Sequence, residues 1–190
     1  QINVQKSACM RFGYRYDSPC SSIISLSGNT LKWVTSFKYL GIVIVSGKRF
    51  RCLFDACKQK VFGSFNAIFG RVGRFASEEV ILHLIRTKCL PVLLYAIEAC
   101  PLLSRDVHSF EFVINRCLMK LFKTSSIVIV NECCDFFGFT PIRLTIETRT
   151  VKFLERYISS ENIVCSCFAR FATAQLNGLR RASAADMPVL

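Results

Sequence analysis

The period of the hydrophobic pattern changes once along this chain, at Ser46 and Gly47. Before that point, short runs rich in β-branched and aromatic residues predict strands. The predicted strands cover residues 8–14, 22–26, 31–34 and 37–45. After that point, apolar residues recur every three or four positions, which is the spacing of one helix face. The sequence therefore predicts an α+β fold, in which a small antiparallel sheet or hairpin precedes a helical bundle.

The helical part is predicted to contain five helices. They cover residues 49–74, 77–88, 104–123, 126–137 and 140–159. Ser77 and Ser104 are predicted N-caps, and Gly138 is predicted to close the fourth helix. The small and polar residues from Ala172 to Leu190 predict a frayed end. These predictions divide the chain into segments 1–47, 48–160 and 161–190, the last of them a poorly defined tail.

The charge of the chain favours a polyanionic partner. It carries 25 Lys and Arg against 13 Asp and Glu, a net charge of +12. Nucleic acid is the first candidate for that partner, and an anionic membrane surface is the second. The first sixty residues hold ten of the cations and only two carboxylates, Asp17 and Asp55. Such an excess suits binding to phosphates.

The cysteines indicate an intracellular protein, nuclear or cytoplasmic. Eleven cysteines lie inside apolar stretches such as residues 112–122, whereas secreted disulfide scaffolds are short and rich in loops. No signal peptide pattern opens the chain. The best apolar run, residues 89–103, is short and is broken by Pro91, Glu98 and Pro101. We therefore expect no transmembrane span.

Neither catalytic residues nor a metal site is expected in this chain. A polymerase needs two or three carboxylates to hold a pair of divalent metals, and they usually include adjacent aspartates in a strand turn. This sequence contains no Asp-Asp pair. The histidines and cysteines also lack the paired spacing of a zinc site, so we interpret them as surface histidines and core thiols.

Several short segments follow one another in an order that is typical of one family. Their sequences are INVQKS (2–7), MRFG (10–13), LKWV (31–34), FKYLGI (37–42), SEEV (77–80) and LPVLLYA (90–96). The order resembles the end of the palm and the thumb in reverse transcriptases of non-LTR, LINE-type retrotransposons. The resemblance extends to about Ile158, and KYLG at 38–41 is its most specific part.

The resemblance implies roles for three groups of residues. Lys6 would lie near the phosphates of the incoming nucleotide. The segment Lys38, Tyr39, Leu40 and Gly41 would be the primer grip, which holds the 3′ end of the DNA primer. Three further cations of the thumb would track the duplex of RNA template and DNA primer through its backbone. They are Arg116, Lys120 and Lys123, which the helical pattern places on one face.

The resemblance also implies that the chain is a fragment. The fingers and the metal-binding palm strands of the same polyprotein are missing, so the Mg²⁺ expected in the complete enzyme would not be held here. The start at Gln1, with the first methionine at Met10, suggests the same. The alternative is a basic helical interaction protein that docks on anionic membranes or partner helices. The mean hydropathy of +0.36 motivates that alternative.

Overall fold

A computed structural model of the chain describes residues 3–73 and 75–185. It contains strands first and helices afterwards, which confirms the predicted α+β class. The chain divides into two compact units, Gln1–Gln59 and Lys60–Leu190. Ile2 of the first family-like segment, Arg74 at the predicted end of the first helix, and residues 186–190 of the predicted tail lie outside the described residues.

The first unit contains two three-stranded sheets. One is formed by β1 (Ala8–Cys9), β2 (Ile23–Ile24) and β3 (Thr30–Trp33), with β3 in the middle. The other is formed by β4 (Ser36–Tyr39), β5 (Ile42–Val45) and β6 (Arg51–Leu53), in chain order. The second sheet is antiparallel throughout, as predicted. The first sheet differs from the prediction because β1 and β3 pair in parallel.

A two-residue turn divides the segment 37–45, which we predicted to be one strand. Tyr39 pairs with Ile42, so Leu40 and Gly41 alone connect β4 to β5. Both have positive φ, +46° and +86°. This backbone matches the right-handed twist of the strands and is typical of tight hairpins. The prediction was wrong because leucine, unlike asparagine, gives no turn signal.

The structure contains seven α-helices among its described residues. They are α1 (Asp55–Val72), α2 (Glu78–Leu84), α3 (Leu90–Leu93), α4 (Ser104–Leu121), α5 (Ile127–Phe136), α6 (Ile142–Ile158) and α7 (Ile163–Ala185). Five of them, α1, α2, α4, α5 and α6, lie close to the predicted positions. A π-helical turn, Ile85–Cys89, joins α2 to α3, and a 3₁₀ turn, Ile97–Ala99, follows α3. Helix α1 starts later than predicted because residues 51–53 pair with β5 as a strand.

One of the two predicted N-caps is confirmed. The hydroxyl of Ser77 accepts a hydrogen bond from the backbone N–H of Val80 at 3.5 Å. At the start of α4 the prediction was wrong by one residue, since Leu103 is the N-cap. The Asp106 carboxylate accepts the backbone N–H of Leu103 at 3.0 Å, which is the bond that the third helical residue makes in a capping box. Leucine has no hydroxyl to make the reciprocal bond.

The predicted frayed tail is instead a helix through Ala185. Ala172 and Leu176 of α7 are buried with Leu154 of α6, and Val151 and Tyr157 pack against this cluster. Alanine is the best helix former, so the small residues that suggested fraying also favour a helix. Packing against α6 decides between the two, and that packing is not visible in the local sequence.

The second unit has an apolar core to which α1, α2, the π-helical turn and α4 all contribute. Among its least exposed side chains are Val61, Phe65, Ile81, Leu82, Ile85, Phe110, Ile114 and Leu118. No polar or charged residue is fully buried in the part of the chain that the structure describes. The described cations of this unit therefore lie at or near its surface, where a ligand can reach them.

One segment of the described chain, Glu78–Ala99, is long and apolar enough to cross a membrane by length and composition. Ile81, Ile85 and Leu93 of this segment are buried in the core of the second unit. Arg86 and Lys88 are exposed. Core packing thus accounts for part of the apolar character of this segment, and the absence of a transmembrane span stays a prediction.

Candidate nucleic-acid interface

The four residues predicted to hold the primer lie together at the tip of the β4–β5 hairpin. We call Lys38, Tyr39, Leu40 and Gly41 the hairpin tip. All four are exposed, Tyr39 at 58% and Leu40 at 72% of their surface. The tip thus presents one cation, one aromatic ring and one aliphatic side chain to solvent. These are groups that can contact the phosphate, base and sugar at the end of a strand.

Lys6 lies in a separate place, in the turn that precedes β1. Its backbone N–H donates to the carbonyl oxygen of Asn3 at 3.1 Å and to the Asn3 side-chain oxygen at 3.2 Å. Its side chain is exposed. No hydrogen bond or ion pair among residues 3–73 joins Lys6 to the hairpin tip. The role of Lys6 near the phosphates of the incoming nucleotide stays a prediction.

A groove of about 410 Å³ lies between α1 and α4 in the second unit. We call it the α1–α4 groove. Its lining residues are Phe62, Phe65, Asn66, Arg116, Cys117, Met119, Lys120, Thr124 and Ser125. The groove combines two predicted site residues, Arg116 and Lys120, with aromatic, amide and hydroxyl groups. This composition suits a phosphorylated ligand, because cations and hydroxyls bind phosphate oxygens.

Lys120 is held in the α1–α4 groove by α1. Its Nζ donates to the side-chain oxygen of Asn66 at 3.0 Å. The same Nζ lies 5.3 Å from the ring centroid of Phe69 and 5.9 Å from that of Phe65. The two rings stack on each other with centroids 5.5 Å apart. Ring faces and an amide oxygen orient the ammonium group without neutralising its charge.

Arg116 precedes Lys120 by one helical turn and lines the same groove. Neither residue is paired with a carboxylate in the part of the second unit that the structure describes. Two positive charges about one turn apart repel each other weakly, and a bound anion relieves that repulsion. Both cations are therefore available to an anion that enters the groove.

Lys123 does not share the helix face on which it was predicted. Helix α4 ends at Leu121, and Lys123 follows it in the left-handed conformation with φ +53°. The backbone N–H of Thr124 closes the helix end by donating to the Met119 carbonyl at 3.0 Å. Lys123 is exposed but is not among the lining residues of the α1–α4 groove. The prediction failed because it extended the helix two residues too far.

Sequence reasoning missed the α1 half of this groove. Neither Asn66 nor Phe65 was singled out within the predicted helix 49–74. The spacing of Phe65 and Phe69 is visible in the sequence and is typical of neighbours on one helix face. Their cation comes from a helix more than fifty residues away, as the Lys120–Asn66 hydrogen bond shows. No pattern in the local sequence of α1 predicts such a partner.

The thiol that lines the α1–α4 groove is uncharged at neutral pH. Burial raises the pKa of Cys117 to about 12, the nearby Cys89 thiol adds to that rise, and Lys120 opposes it. Burial also raises the pKa of Cys89. A protonated thiol is a poor nucleophile and a poor metal ligand. Cys117 therefore forms an apolar part of the groove wall.

The described residues contain no group of three or more His, Cys, Asp or Glu side chains that could hold a metal ion. Comparison with protein-family models gives no match. Comparisons with curated proteins and with solved structures give no match either.

Proposed function

We propose that this chain binds nucleic acid through the phosphate backbone, as the primer-positioning and duplex-gripping part of a retrotransposon RNA-directed DNA polymerase. The observation that carries the proposal is the α1–α4 groove, which Arg116 and Lys120 line with no carboxylate partner among the described residues. The order of the family-like segments in the sequence gives the polymerase context. The partners would be an RNA template and a DNA primer.

The composition of the groove favours binding to the backbone over binding to bases. Interactions with phosphates fix the position of a duplex and carry no sequence information. Thr124 and Ser125, which line the groove beside the two cations, offer hydroxyls for the same oxygens. Binding at this site should therefore depend strongly on salt and weakly on sequence. A polymerase that copies a whole element needs this kind of hold on its duplex.

The hairpin tip supports the second half of the proposal. The tip is exposed and stands on a regular two-stranded ladder, so its position is well defined relative to β4 and β5. In the complete enzyme, Mg²⁺ would be bound by carboxylates that precede this sequence. The chain described here would contribute strand positioning and no group to the chemical step.

A double substitution in the α1–α4 groove tests the proposal. We expect Arg116→Gln with Lys120→Gln to weaken binding of the full chain to a fluorescent RNA·DNA hybrid. The slope of log affinity against log salt should become shallower by about 1 for each phosphate that the variant no longer binds. Fluorescence anisotropy at several salt concentrations measures both quantities.

The matched control removes two exposed cations that do not line the groove. Arg105 lies on α4 about three turns before Arg116, and Lys152 lies on α6. Arg105→Gln with Lys152→Gln makes the same change in net charge. The proposal requires the groove variant to bind clearly more weakly than this control. Equal weakening in the two variants would show that net charge alone drives binding and would reject the groove.

Docking on an anionic membrane is a second candidate function, and one feature of α7 favours it. Ile163, Val164, Phe168 and Phe171 are all exposed. The guanidinium group of Arg170 lies 4.7 Å from the ring centroid of Phe171. Apolar side chains beside a cation on one helix are typical of a helix that lies on an anionic lipid surface.

Co-sedimentation with lipid vesicles separates the two candidates. The full chain is mixed with anionic vesicles, with neutral vesicles, or with an RNA·DNA hybrid. If the membrane candidate holds, Phe168→Ser with Phe171→Ser reduces sedimentation with anionic vesicles and leaves hybrid binding unchanged. If the chain binds the hybrid and ignores both kinds of vesicle, the membrane candidate is rejected.

A further inference from the structure

The loop that connects β5 to β6 is fixed at several points to the segment that follows β1. The backbone N–H of Gly13 donates to the Gly47 carbonyl at 3.0 Å, and Phe12 forms a bridge with Gly47. The Ser46 hydroxyl donates to the Arg11 carbonyl at 2.9 Å. These hydrogen bonds give a surface loop a defined shape. The backbone that carries the side chains of this loop is therefore restrained at residues 46 and 47.

The aromatic rings of Phe12 and Phe50 add an apolar interaction to the same junction. Their centroids are 5.4 Å apart, with the ring planes tilted by 53°. Phe50 is the last residue before β6, so this ring pair attaches the end of the loop to the segment after β1. The Gly13–Gly47 hydrogen bond attaches the first part of the loop to the same segment. The segment 48–51 around this end of the loop carries three cations.

Those cations, Lys48, Arg49 and Arg51, are exposed and have no carboxylate partner within the described part of the first unit. The sequence up to Gln59 contains only two carboxylates, Asp17 and Asp55. Asp55 is paired with Lys58 at 2.7 Å. A run of unneutralised cations on a fixed loop favours an anionic ligand, because binding removes their mutual repulsion.

A groove of about 470 Å³ runs along this loop, within the size range of small-ligand sites. We call it the β5–β6 groove. Lys48, Arg49 and Arg51 line it together with Tyr16, Val45 and Leu53. Tyr16 lies in the turn after Gly13, where its backbone N–H donates to the Gly13 carbonyl at 3.1 Å. Its side chain is partly exposed, at 37%.

We propose that the β5–β6 groove binds a single-stranded polynucleotide. Its phosphates would lie on Lys48, Arg49 and Arg51, and one base would stack on the ring of Tyr16. Aromatic rings beside a cationic track are the common basis of single-strand binding, because every base has a face that can stack. A duplex offers no free base face. The groove therefore discriminates in favour of single strands.

This site is distinct from the α1–α4 groove and from the hairpin tip. It shares no residue with either of them, and it lies in the first unit, whereas the α1–α4 groove lies in the second. The inference does not depend on the proposed polymerase context. It requires only that the chain meets a single-stranded polyanion with exposed bases.

Binding of fluorescent oligothymidine to the full chain tests the inference through Tyr16. We expect Tyr16→Ala to weaken binding about tenfold, which is within the range for removing one base-stacking ring. Tyr16→Phe keeps the ring and should bind like the wild type. A Tyr16→Ala variant that binds oligothymidine like the wild type would overturn the assignment, and this comparison involves no change of charge.

The cations are tested in the same assay. Lys48→Gln, Arg49→Gln and Arg51→Gln together should weaken oligothymidine binding and make the salt slope shallower by about 0.7 for each phosphate that is no longer neutralised. The control replaces three exposed cations outside the groove, Lys32, Lys60 and Arg105, by glutamine. Equal weakening in the two triple variants would overturn the proposal. Circular dichroism spectra of both variants verify that the fold is retained.

The two grooves can fail separately. If Arg116→Gln with Lys120→Gln weakens hybrid binding more than its control does, while the Tyr16 effect on oligothymidine persists, both sites stand. If the Tyr16 effect is absent while the hybrid result holds, the β5–β6 groove is rejected and the proposed function is retained. The opposite pattern rejects the α1–α4 groove and supports the β5–β6 groove.

Discussion

Leu40 has a backbone conformation that a leucine side chain disfavours. Its φ of +46° places it in the left-handed region, and 72% of its surface is exposed, so little packing compensates for the strain. A left-handed residue other than glycine or asparagine costs about 1 kcal/mol. Strain of this kind in an exposed turn suggests that the side chain serves binding. In the proposed function, Leu40 touches the primer.

Replacing Leu40 by asparagine should separate stability from binding. Asparagine followed by glycine is a preferred pair for this turn, so Leu40→Asn should raise the free energy of unfolding by about 1 kcal/mol. The same variant should bind more weakly to a hybrid that has a recessed primer end. Urea denaturation and fluorescence anisotropy measure the two effects.

Gly41→Ala serves as the control for the turn. A methyl group at φ +86° is strained, so this variant should be less stable than the wild type by about 1 to 2 kcal/mol. A Leu40→Asn variant that is both less stable and equally tight in binding would contradict the account of the hairpin tip.

The buried thiol of Cys117 should make stability depend on pH in the alkaline range. In the unfolded chain the thiol loses its proton near pH 9.0, whereas burial in the folded chain raises the pKa to about 12. Between these values the unfolded state binds fewer protons, so stability falls as pH rises. Below pH 9.0 the full contribution is present. The slope approaches about 1.4 kcal/mol per pH unit within the window.

Urea unfolding at about pH 8 and about pH 10 measures this slope. We expect the wild type to lose more stability between the two pH values than Cys117→Ala does. The substitution itself lowers stability at both values, so the difference between the slopes is the result that matters. Parallel pH dependence in the two proteins would show that Cys117 is not protected from solvent.

At the scale of single residues, the sequence indicated which cationic side chains are exposed. It did not indicate which residues those side chains contact. The adjacency of Lys38 to Gly41 in the chain was enough to place them together. The four-residue spacing of Arg116 and Lys120 was enough to place both on one face of α4. The interaction of Lys120 with Asn66 and Phe69 depends on how two distant helices pack, so no residue pattern could predict it.

At the scale of elements, Arg86 fixes the end of α5. Its guanidinium group donates to the carbonyl oxygens of Phe137 at 3.0 Å and Gly138 at 2.7 Å. The group also lies 5.3 Å from the ring centroid of Phe139. The last carbonyls of a helix lack intrahelical partners, and a cation at that end also interacts favourably with the helix dipole. One side chain from the π-helical turn thus stabilises a helix end about fifty residues later.

We expect that lysine at position 86 does not stabilise the end of α5 as arginine does. An ammonium group keeps the charge but lacks the planar face, so Arg86→Lys should lower the free energy of unfolding by about 1 to 2 kcal/mol. Hydrogen exchange should quicken at the amides of α5. Arg105→Lys, at an exposed arginine on α4, is the control and should change stability by less than about 0.5 kcal/mol. Equal effects of the two substitutions would refute this role.

Element prediction succeeded where one strong period decided the structure. Helices α2, α4, α5 and α6 lie within a few residues of their predicted ranges because each has a clear apolar face or cap. The prediction of elements failed where pairing or packing with distant residues determines the local structure. Residues 51–53 form a strand because they pair with β5. The predicted tail forms α7 because it packs against α6.

At the scale of the whole molecule, the positive charge is divided between the two units. The first carries the hairpin tip and the β5–β6 groove, and the second carries the α1–α4 groove. In each groove, cations without a carboxylate partner among the described residues lie beside aromatic side chains. Composition alone predicted a polyanionic partner, and it could not indicate which of the 25 cations line a groove.

The salt dependence of hybrid binding tests the central claim most directly. Affinity of the full chain for an RNA·DNA hybrid is measured between about 50 and 200 mM salt. If two to four cations bind phosphates, log affinity falls linearly with log salt at a slope of about −2 to −4. An affinity that does not change with salt, or the absence of binding at low salt, would contradict the claim that this chain grips nucleic acid through its phosphates.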